Sequence, residues 1–195
     1  MPIGSNAIRG SALRPFVSWY VRLYGEARLD RALSQLSSRD RGRFGSAARG
    51  LGIDESAWYP APVIHKVLDG LLDGLDSAEH ERLARSGADV TIETSLNGLL
   101  RVAFRALVSP RLCLMLGPHM WGSFYGSGRV RIQSQGARVH RMEVREWAGH
   151  HAFLCQMNCE AGRAIYEAAG CHGVRTKQAA CIDRGDDYCA YLIGW

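Results

Sequence analysis

The chain has 195 residues, of which 47% are apolar and 22% are charged. This length suffices for one domain that buries about 70% of the surface of its unfolded chain, and the composition excludes disordered and collagen-like classes. The first residues lack the apolar stretch of a secretory signal, and no apolar run is long enough to cross a membrane. We therefore expect a cytoplasmic protein whose six cysteines are free thiols or metal ligands.

The charge balance raises nucleic acid as a partner, because the 24 Lys and Arg exceed the 19 Asp and Glu by five. The arginines nevertheless recur singly between acidic residues, as in segments 28–31, 39–41 and 143–146. Such mixing is typical of a solvated surface. No motif of a nucleic-acid reader with interleaved aromatic residues is present. We therefore predict no nucleic-acid partner.

Apolar residues at helical spacing predict that residues 13–127 are mostly helical, after a flexible, Gly- and Ser-rich segment at residues 1–12. Pro15 suits the start of a first helix and Gly25 its end. The apolar stripe over residues 64–75 has the 3.6-residue period of an amphipathic helix.

Two later glycines are expected to break helices. We predict that Gly87 separates a helix that begins at Ser77 from a longer one that begins at Asp89 or Thr91 and ends at Pro110. A further helical run over residues 110–125 is expected to be interrupted at Gly117-Pro118.

The period changes in residues 128–195. Alternation around residues 130–132 and 140–144 predicts two antiparallel strands, residues 150–169 return to a helical period, and residues 174–182 and 188–193 predict two more strands. The order β-β-α-β-β after a helical half predicts one α+β domain over residues 13–195, with a small antiparallel sheet packed against helices.

The last two strands carry a pair of cysteines. Residues 177–195 contain two apolar runs around a turn rich in Asp, Arg and Gly, which is typical of a β-hairpin. If the turn centres on Gly185, Cys181 and Cys189 face each other with Cβ atoms about 4.5–5.5 Å apart. Both thiols are then close enough to bind one metal ion, or to form a disulfide after a small adjustment.

This Cys-x7-Cys pattern, with Gly185-Asp186 in its middle and an aromatic-aliphatic tail, resembles the end of the 4-vinyl reductase-like ligand-binding domain. That family is related in fold to the subunits of the transport-particle (TRAPP) complex. Residues 153–170 are similar to a family helix that carries small residues and often a Cys at its start. Segments 58–60 and 118–128 resemble a myxobacterial paralogous family of unknown function. The resemblance implies a 4-vinyl reductase-like, TRAPP-subunit-like fold.

The resemblance also implies a metal site, because sensors of the family hold a structural zinc ion with a helix Cys, a strand acidic residue and two hairpin Cys. It implies four zinc ligands here: Cys155, Gln178, Cys181 and Cys189. Gln178 departs from the acidic residue of the family, so Cys159 or His172 is an alternative fourth ligand. The alternative without metal is that these cysteines are small core residues that merely lie close together.

A second implied site is an apolar cavity between helices and sheet, which binds small aromatic molecules in the sensors. We place four residues near such a cavity: His119, Trp121, Tyr125 and His140. Ordinary aromatic core packing is the alternative for each. The adjacent His150 and His151 could form a metal-binding or acid–base pair, but we predict that they are solvated loop residues, since adjacent residues of a helix do not share a face.

No motif of an enzyme active site was found, and we do not expect an enzyme. The predicted function is a sensory or signalling module that binds a small apolar or aromatic ligand and acts as a homodimer or with a partner protein. One alternative is a TRAPP-subunit-like interaction scaffold without a ligand. The other is a heme- or metal-binding signalling domain, although the Cys-x-x-Cys-His motif of covalent heme attachment is missing.

Overall fold

The computed structural model describes residues 6–45, 52–96, 102, 104 and 106–195. The helices are α1 (Arg14–Tyr24), α2 (Glu26–Ser34), α3 (Ser38–Arg41), α4 (Ala61–Leu72), α5 (Ser77–Ser95), α6 (Pro110–Trp121) and α7 (Ala152–Ala168). The strands are β1 (Ala7–Arg9), β2 (Trp58–Pro60), β3 (Arg129–Gly136), β4 (Val139–Arg145), β5 (Arg175–Ala180) and β6 (Cys189–Gly194).

The main sheet is antiparallel, with the strand order β3-β4-β6-β5. Helix α7 connects the two hairpins and packs on β5 and β6, while α6 packs on β3 and α5 packs on the other side of α7. This arrangement confirms the predicted α+β class with a small antiparallel sheet. Among the described residues, no helix is long and apolar enough to span a membrane.

Residues 7–9 form a strand in the segment that was predicted to be flexible. Strand β1 pairs with β2, and Ile8 also forms a bridge with Tyr125. The side chain of Ile8 is fully buried, and this apolar contact accounts for the order of a segment rich in small residues. Residues 1–5 of the predicted flexible segment lie outside the described residues.

The expected helix break at Gly87 is wrong, because α5 continues from Ser77 to Ser95. A Cβ atom at position 87 would lie 2.6 Å from a ring carbon of Phe16 in α1. The glycine therefore permits a close approach of two helices rather than ending one. The remainder of the helix predicted to end at Pro110 falls partly on residues 97–101, 103 and 105, which lie outside the described residues.

The expected interruption at Gly117-Pro118 is also wrong, since α6 includes both residues. A Cβ atom at position 117 would lie 2.3 Å from Cδ1 of Ile132 in β3. This glycine, too, marks a close approach, here between a helix and the sheet. In both cases, the close approach of a residue distant in sequence explains why the position is occupied by a residue without a side chain.

Candidate functional site

Four potential metal ligands meet at one end of α7. The ligand atoms of His150, Cys155, Cys181 and Cys189 all lie within 4.8 Å of one another. We call these four residues the thiol cluster. Its three cysteines are buried, and His150 is half-buried. The cluster therefore combines a loop residue, a residue of α7 and the two ends of the last hairpin.

The last hairpin brings two of the cysteines together. Ala180 pairs with Ala190, and the same antiparallel register places Cys181 opposite Cys189. Between them, Gly185 adopts a left-handed conformation with φ of 88°, and the carboxylate of Asp186 accepts a 2.7 Å hydrogen bond from the backbone N–H of Cys181. These turn interactions hold the two thiols side by side.

The distances in the thiol cluster match those between ligands of a tetrahedral metal ion. The sulfur of Cys155 lies 3.3 Å from that of Cys189 and 3.6 Å from that of Cys181. Cys181 Sγ lies 3.6 Å from Nε2 of His150. In a tetrahedral site with metal–sulfur bonds of about 2.3 Å, neighbouring ligand atoms are roughly 3.8 Å apart. All three cysteines are free thiols.

Hydrogen bonding in the thiol cluster favours a thiolate at Cys189. The hydrogen bond that Cys155 donates lowers the pKa of Cys189, and His150 adds to this effect. The same bond and burial raise the pKa of Cys155, and burial raises the pKa of Cys181. Because metals bind thiolates, the lowered pKa of Cys189 favours metal binding by this residue.

Gln178 lies beside the cluster as a hydrogen-bond donor. Its Nε2 donates to the sulfur of Cys155 over 2.8 Å, and the hydroxyl of Tyr191 lies 3.2 Å from the same sulfur. In this position Gln178 orients the thiol of Cys155, and His150 is the fourth member of the cluster. The role of Gln178 as a ligand stays a prediction.

The two alternative fourth ligands do not reach the cluster. Cys159 is buried one turn further along α7, and His172 is exposed. His150, which was predicted to be solvated, instead packs against Trp147 with ring centroids 5.2 Å apart. Its position just before the helix that carries Cys155 is the sequence signal for the metal-binding alternative.

The residues predicted to line an apolar cavity are only partly brought together. Trp121 and Tyr125 stack with ring centroids 4.2 Å apart, and Trp147, which was not among the four predicted residues, packs edge-on against both. The hydroxyl of Tyr125 accepts a 2.9 Å hydrogen bond from Asn158, and burial raises the pKa of Tyr125 to about 12.

The two predicted histidines lie elsewhere. His140 is buried against Trp195, with ring centroids 4.7 Å apart, and its Nδ1 contacts the hydroxyl of Tyr166. His119 is exposed, and its Nδ1 lies 3.1 Å from the carbonyl oxygen of Met115 in its own helix. The structure therefore does not join the four predicted residues in one site.

Two cavities along the described residues are relevant to ligand binding. One, of about 120 Å³, lies between α5 and α7 and carries three carboxylates: Asp89, Glu93 and Glu167. The other is an open groove of about 500 Å³ beside the thiol cluster, lined by histidines, aspartates and a few apolar residues. Pockets for small apolar ligands are typically about 300–1,000 Å³ and mostly apolar. Neither cavity has both properties.

Comparison with known proteins gives matches among solved structures. No protein-family model matches the chain, and no curated relative was found. A Cs H-NOX mutant that carries the unnatural amino acid 4-cyano-L-phenylalanine is 11% identical, with a TM-score of 0.65 and coverage of 96% of both chains. A point mutant of T. tengcongensis H-NOX is 11% identical over 96% of this chain and 97% of that one, with a TM-score of 0.65.

A third match is the Fe(II) unliganded H-NOX protein from K. algicida, which is 12% identical over 96% of each chain, with a TM-score of 0.61. Two further matching structures concern heme redox potential and heme distortion in the H-NOX family. Heme is named for these two proteins.

These findings correct two predictions. The resemblance to the 4-vinyl reductase-like and TRAPP-subunit families is wrong, because the matching structures are H-NOX proteins. The expectation of structural zinc as the sole cofactor is wrong as well, because the proteins that share the fold are heme proteins. At 11–12% identity and TM-scores of 0.61–0.65 over nearly the whole chain, the chain has the fold of H-NOX domains.

Proposed function

We propose that the chain is a non-enzymatic signalling domain with an H-NOX-like fold, and that Cys155, Cys181, Cys189 and His150 bind an exchangeable thiophilic metal ion as the signal that the domain senses, not as a structural cofactor. The observation that carries this proposal is the approach of these four ligand atoms to within 4.8 Å of one another. Three soft sulfur ligands and one imidazole select metals that prefer thiolates over hard, oxygen-loving cations.

Heme is the other cofactor to consider, since the structural matches are heme proteins. A heme site needs an axial ligand that faces an enclosed apolar cavity. All seven histidines of the chain lie in the described part: His65, His80, His119, His140, His150, His151 and His172. The 120 Å³ cavity is lined by none of them.

The larger groove does carry histidines, but its other residues do not suit a porphyrin. His80, His150 and His151 share this open groove with three aspartates. His151 is already paired, because its Nε2 lies 3.0 Å from the carboxylate of Asp69. The one histidine in the core, His140, is enclosed by aromatic rings. Neither of these two cavities combines an unpaired histidine with an enclosed apolar lining, whereas the thiol cluster brings four ligand atoms together.

The groove gives the thiol cluster a path to solvent. His150 lines both the groove and the cluster, while the three cysteines are buried behind it. A metal ion can therefore enter and leave past a single half-buried imidazole. An exchangeable site of this kind suits a sensor better than a fully enclosed structural site does.

Metal occupancy would change how two parts of the domain are joined. Cys155 belongs to α7 and His150 to the loop before it, whereas Cys181 and Cys189 belong to the last hairpin. An ion held by all four residues fixes the hairpin to the end of α7, and its loss leaves this junction to weaker thiol contacts. The position of the hairpin is the output that reports the bound ion.

The proposal is tested by metal analysis of protein purified without chelator, followed by titration of metal-free protein with cobalt(II). We expect one metal ion per chain and the absorption bands of tetrahedral cobalt thiolate. Cys189→Ser and His150→Ala should weaken cobalt binding strongly. Cys171→Ser, which removes a half-buried thiol outside the cluster, is the matched control and should bind as the wild type does.

Two outcomes would overturn the proposal. One is a metal-free protein that also fails to bind cobalt(II) when all thiols are reduced. The other is stoichiometric binding of supplied hemin with a protein-ligated absorption spectrum, together with no metal at the thiol cluster. The second outcome would favour the heme-binding signalling domain.

A further inference from the structure

The outer face of the four-stranded sheet is an exposed surface with an unusual charge. Along each strand, successive side chains point to opposite faces. The residues of the inner face contact α7, as Thr176 does through its hydrogen bond to Glu160. The outward residues on β3, β4 and β5 are mainly cationic, and most of them are exposed: Arg129, Arg131, Arg141, Arg145, Arg175 and Lys177. We call this set, with the outward residues of β6, the basic sheet face.

The strand register assembles these cations into one surface. Arg129 pairs with Arg145 across β3 and β4, and Arg131 pairs with Glu143. Toward the other edge of the same face, Lys177 of β5 pairs with Leu192 of β6. The result is two cationic borders on either side of the small and apolar outward residues of β6: Ala190, Leu192 and Gly194.

This face accounts for the whole excess positive charge of the chain. It holds six of the 24 Lys and Arg residues and, as Glu143, one of the 19 Asp and Glu residues. The rest of the chain therefore contains 18 residues of each sign. A net charge of +5 that is confined to one face of one sheet produces a directional field, unlike the same charge spread over a mixed surface.

Three of the six cations lack an acidic partner. Glu143 already accepts hydrogen bonds from Arg141 over 2.9 Å and from Arg145 over 3.0 Å. No carboxylate of the described residues lies within 4.0 Å of Arg131, Arg175 or Lys177. These three cations are free to pair with a binding partner.

We propose that the basic sheet face binds the acidic surface of a partner protein. This interaction is separate from metal binding at the thiol cluster. Five of the six cations are arginines, whose planar guanidinium pairs with carboxylates through two hydrogen bonds. Half-buried Leu192 lies at the centre of the face. An apolar centre surrounded by arginines is the usual composition of a protein–protein interface.

The aromatic residue at this face argues against single-stranded nucleic acid. Such strands are held by bases that stack on exposed aromatic rings. Tyr188 is the aromatic residue beside the outward arginines, and the guanidinium of Arg145 lies 4.0 Å from the centre of its ring. Its hydroxyl also accepts a 3.2 Å hydrogen bond from Arg141. The ring is therefore already in contact with arginines and is not available to stack on a base.

The test measures binding of a fluorescein-labelled poly-glutamate peptide to the full chain by fluorescence anisotropy at two salt concentrations. The sheet variant combines Arg131→Glu, Arg175→Glu and Lys177→Glu. The control variant combines Arg22→Glu, Arg39→Glu and Arg111→Glu, which changes the net charge equally at three exposed arginines on helices. We expect wild-type binding that weakens with salt, a loss of about tenfold or more in the sheet variant, and little loss in the control.

The same assay includes a labelled single-stranded oligonucleotide and vesicles of phosphatidylglycerol and phosphatidylcholine. Tighter binding of either probe than of the peptide overturns the proposal, as does equal weakening in both variants or no peptide binding by the wild type. The triple Gln variant at positions 131, 175 and 177 provides a milder change if the Glu variant does not fold, and it should lose affinity in the same direction. Metal-free protein should give the same result, so this test is independent of the thiol cluster.

Discussion

The two faces of the four-stranded sheet are made by alternate residues of the same strands, but they differ in burial and in charge. On β6, the inward residues Cys189, Tyr191 and Ile193 are at most 2% exposed. The outward residues beside them are small or half-buried, and they lie between two cationic borders. Packing and ligand geometry constrain the inner face, whereas charge characterises the outer face. A shift of one residue in register would exchange the two.

The largest contrast is expected between two neighbouring aliphatic residues of β6. Ile193 contacts α7 so closely that a Cβ atom at Gly162 would lie 3.0 Å from its Cδ1. Ile193→Ala should lower the free energy of unfolding by about 3 kcal/mol, because it removes buried methylenes and leaves a cavity. Leu192→Ala removes the same number of carbons from the outer face and should cost less than about 1 kcal/mol. Denaturant unfolding measures both, and equal losses would refute the division into two faces.

A buried arginine behind the inner face can be compared with an exposed one on the outer face. Arg163 is 4% exposed and binds the carboxylates of Asp89, Glu160 and Glu167. Arg163→Met leaves these three charges without their shared partner, and we expect a loss of about 2 kcal/mol of stability. This is less than for a fully buried pair, because two of the carboxylates are 42% exposed.

The control for this change is Arg131→Met on the outer face. It should alter stability by less than about 0.5 kcal/mol, because surface cations contribute little. If high salt abolishes the loss in Arg163→Met, the three ion pairs behave as solvated ones, and the proposed distinction between buried and exposed arginines fails.

A smaller effect is expected from pH. Burial lowers the pKa of His140 on the inner face below its ordinary value of 6.5. As the pH falls through about 6.5, the unfolded chain takes up a proton that the folded chain does not. The contribution of His140 to stability should therefore be constant above about pH 7 and fall toward pH 5. Burial also lowers the pKa of His65, so both histidines contribute to this decrease.

Thermal unfolding from pH 5 to pH 8 tests this prediction. His140→Gln should reduce the dependence of Tm on pH, whatever its stability at neutral pH. His172→Gln, at an exposed position, controls for the removal of a histidine. A dependence that is unchanged in His140→Gln would show that His140 is not the group that titrates.

A small change in stability is expected at the one carboxylate of the outer face. Hydrogen bonding to Arg141 lowers the pKa of Glu143, with a smaller contribution from Arg145. Glu143→Gln should cost less than about 1 kcal/mol but should strengthen poly-glutamate binding, because it releases two arginines. Anisotropy at low salt measures the gain. Weaker peptide binding with an unchanged Tm would contradict the docking role of this face.

The local elements of the last third could be predicted from sequence because their signals are local. The alternation in the strands, the helical period of α7 and the turn at Gly185 all lie within short segments. The same alternation places Cys181 beside Cys189. The relation between His150 and these thiols could not be predicted in this way, since it depends on how the start of α7 meets a hairpin more than 30 residues later.

The families predicted from the last hairpin are wrong because the motif that predicts them is local. A hairpin with facing cysteines and an aromatic tail can be built into several folds, so its presence does not determine how helices pack around the sheet. Gly87 shows the same limitation. Its lack of a side chain is typical of a helix stop, whereas the nearby ring of Phe16 is the reason for it.

The sequence by itself determined the composition of each face, since alternation assigns every second residue of a strand to the same side. It also determined the net charge of +5. Only the tertiary structure decided which face is covered by α7, that the excess charge lies on the open face, and that His150 joins three thiols. These properties depend on contacts between distant segments, and packing free energy rather than local conformational preference selects them.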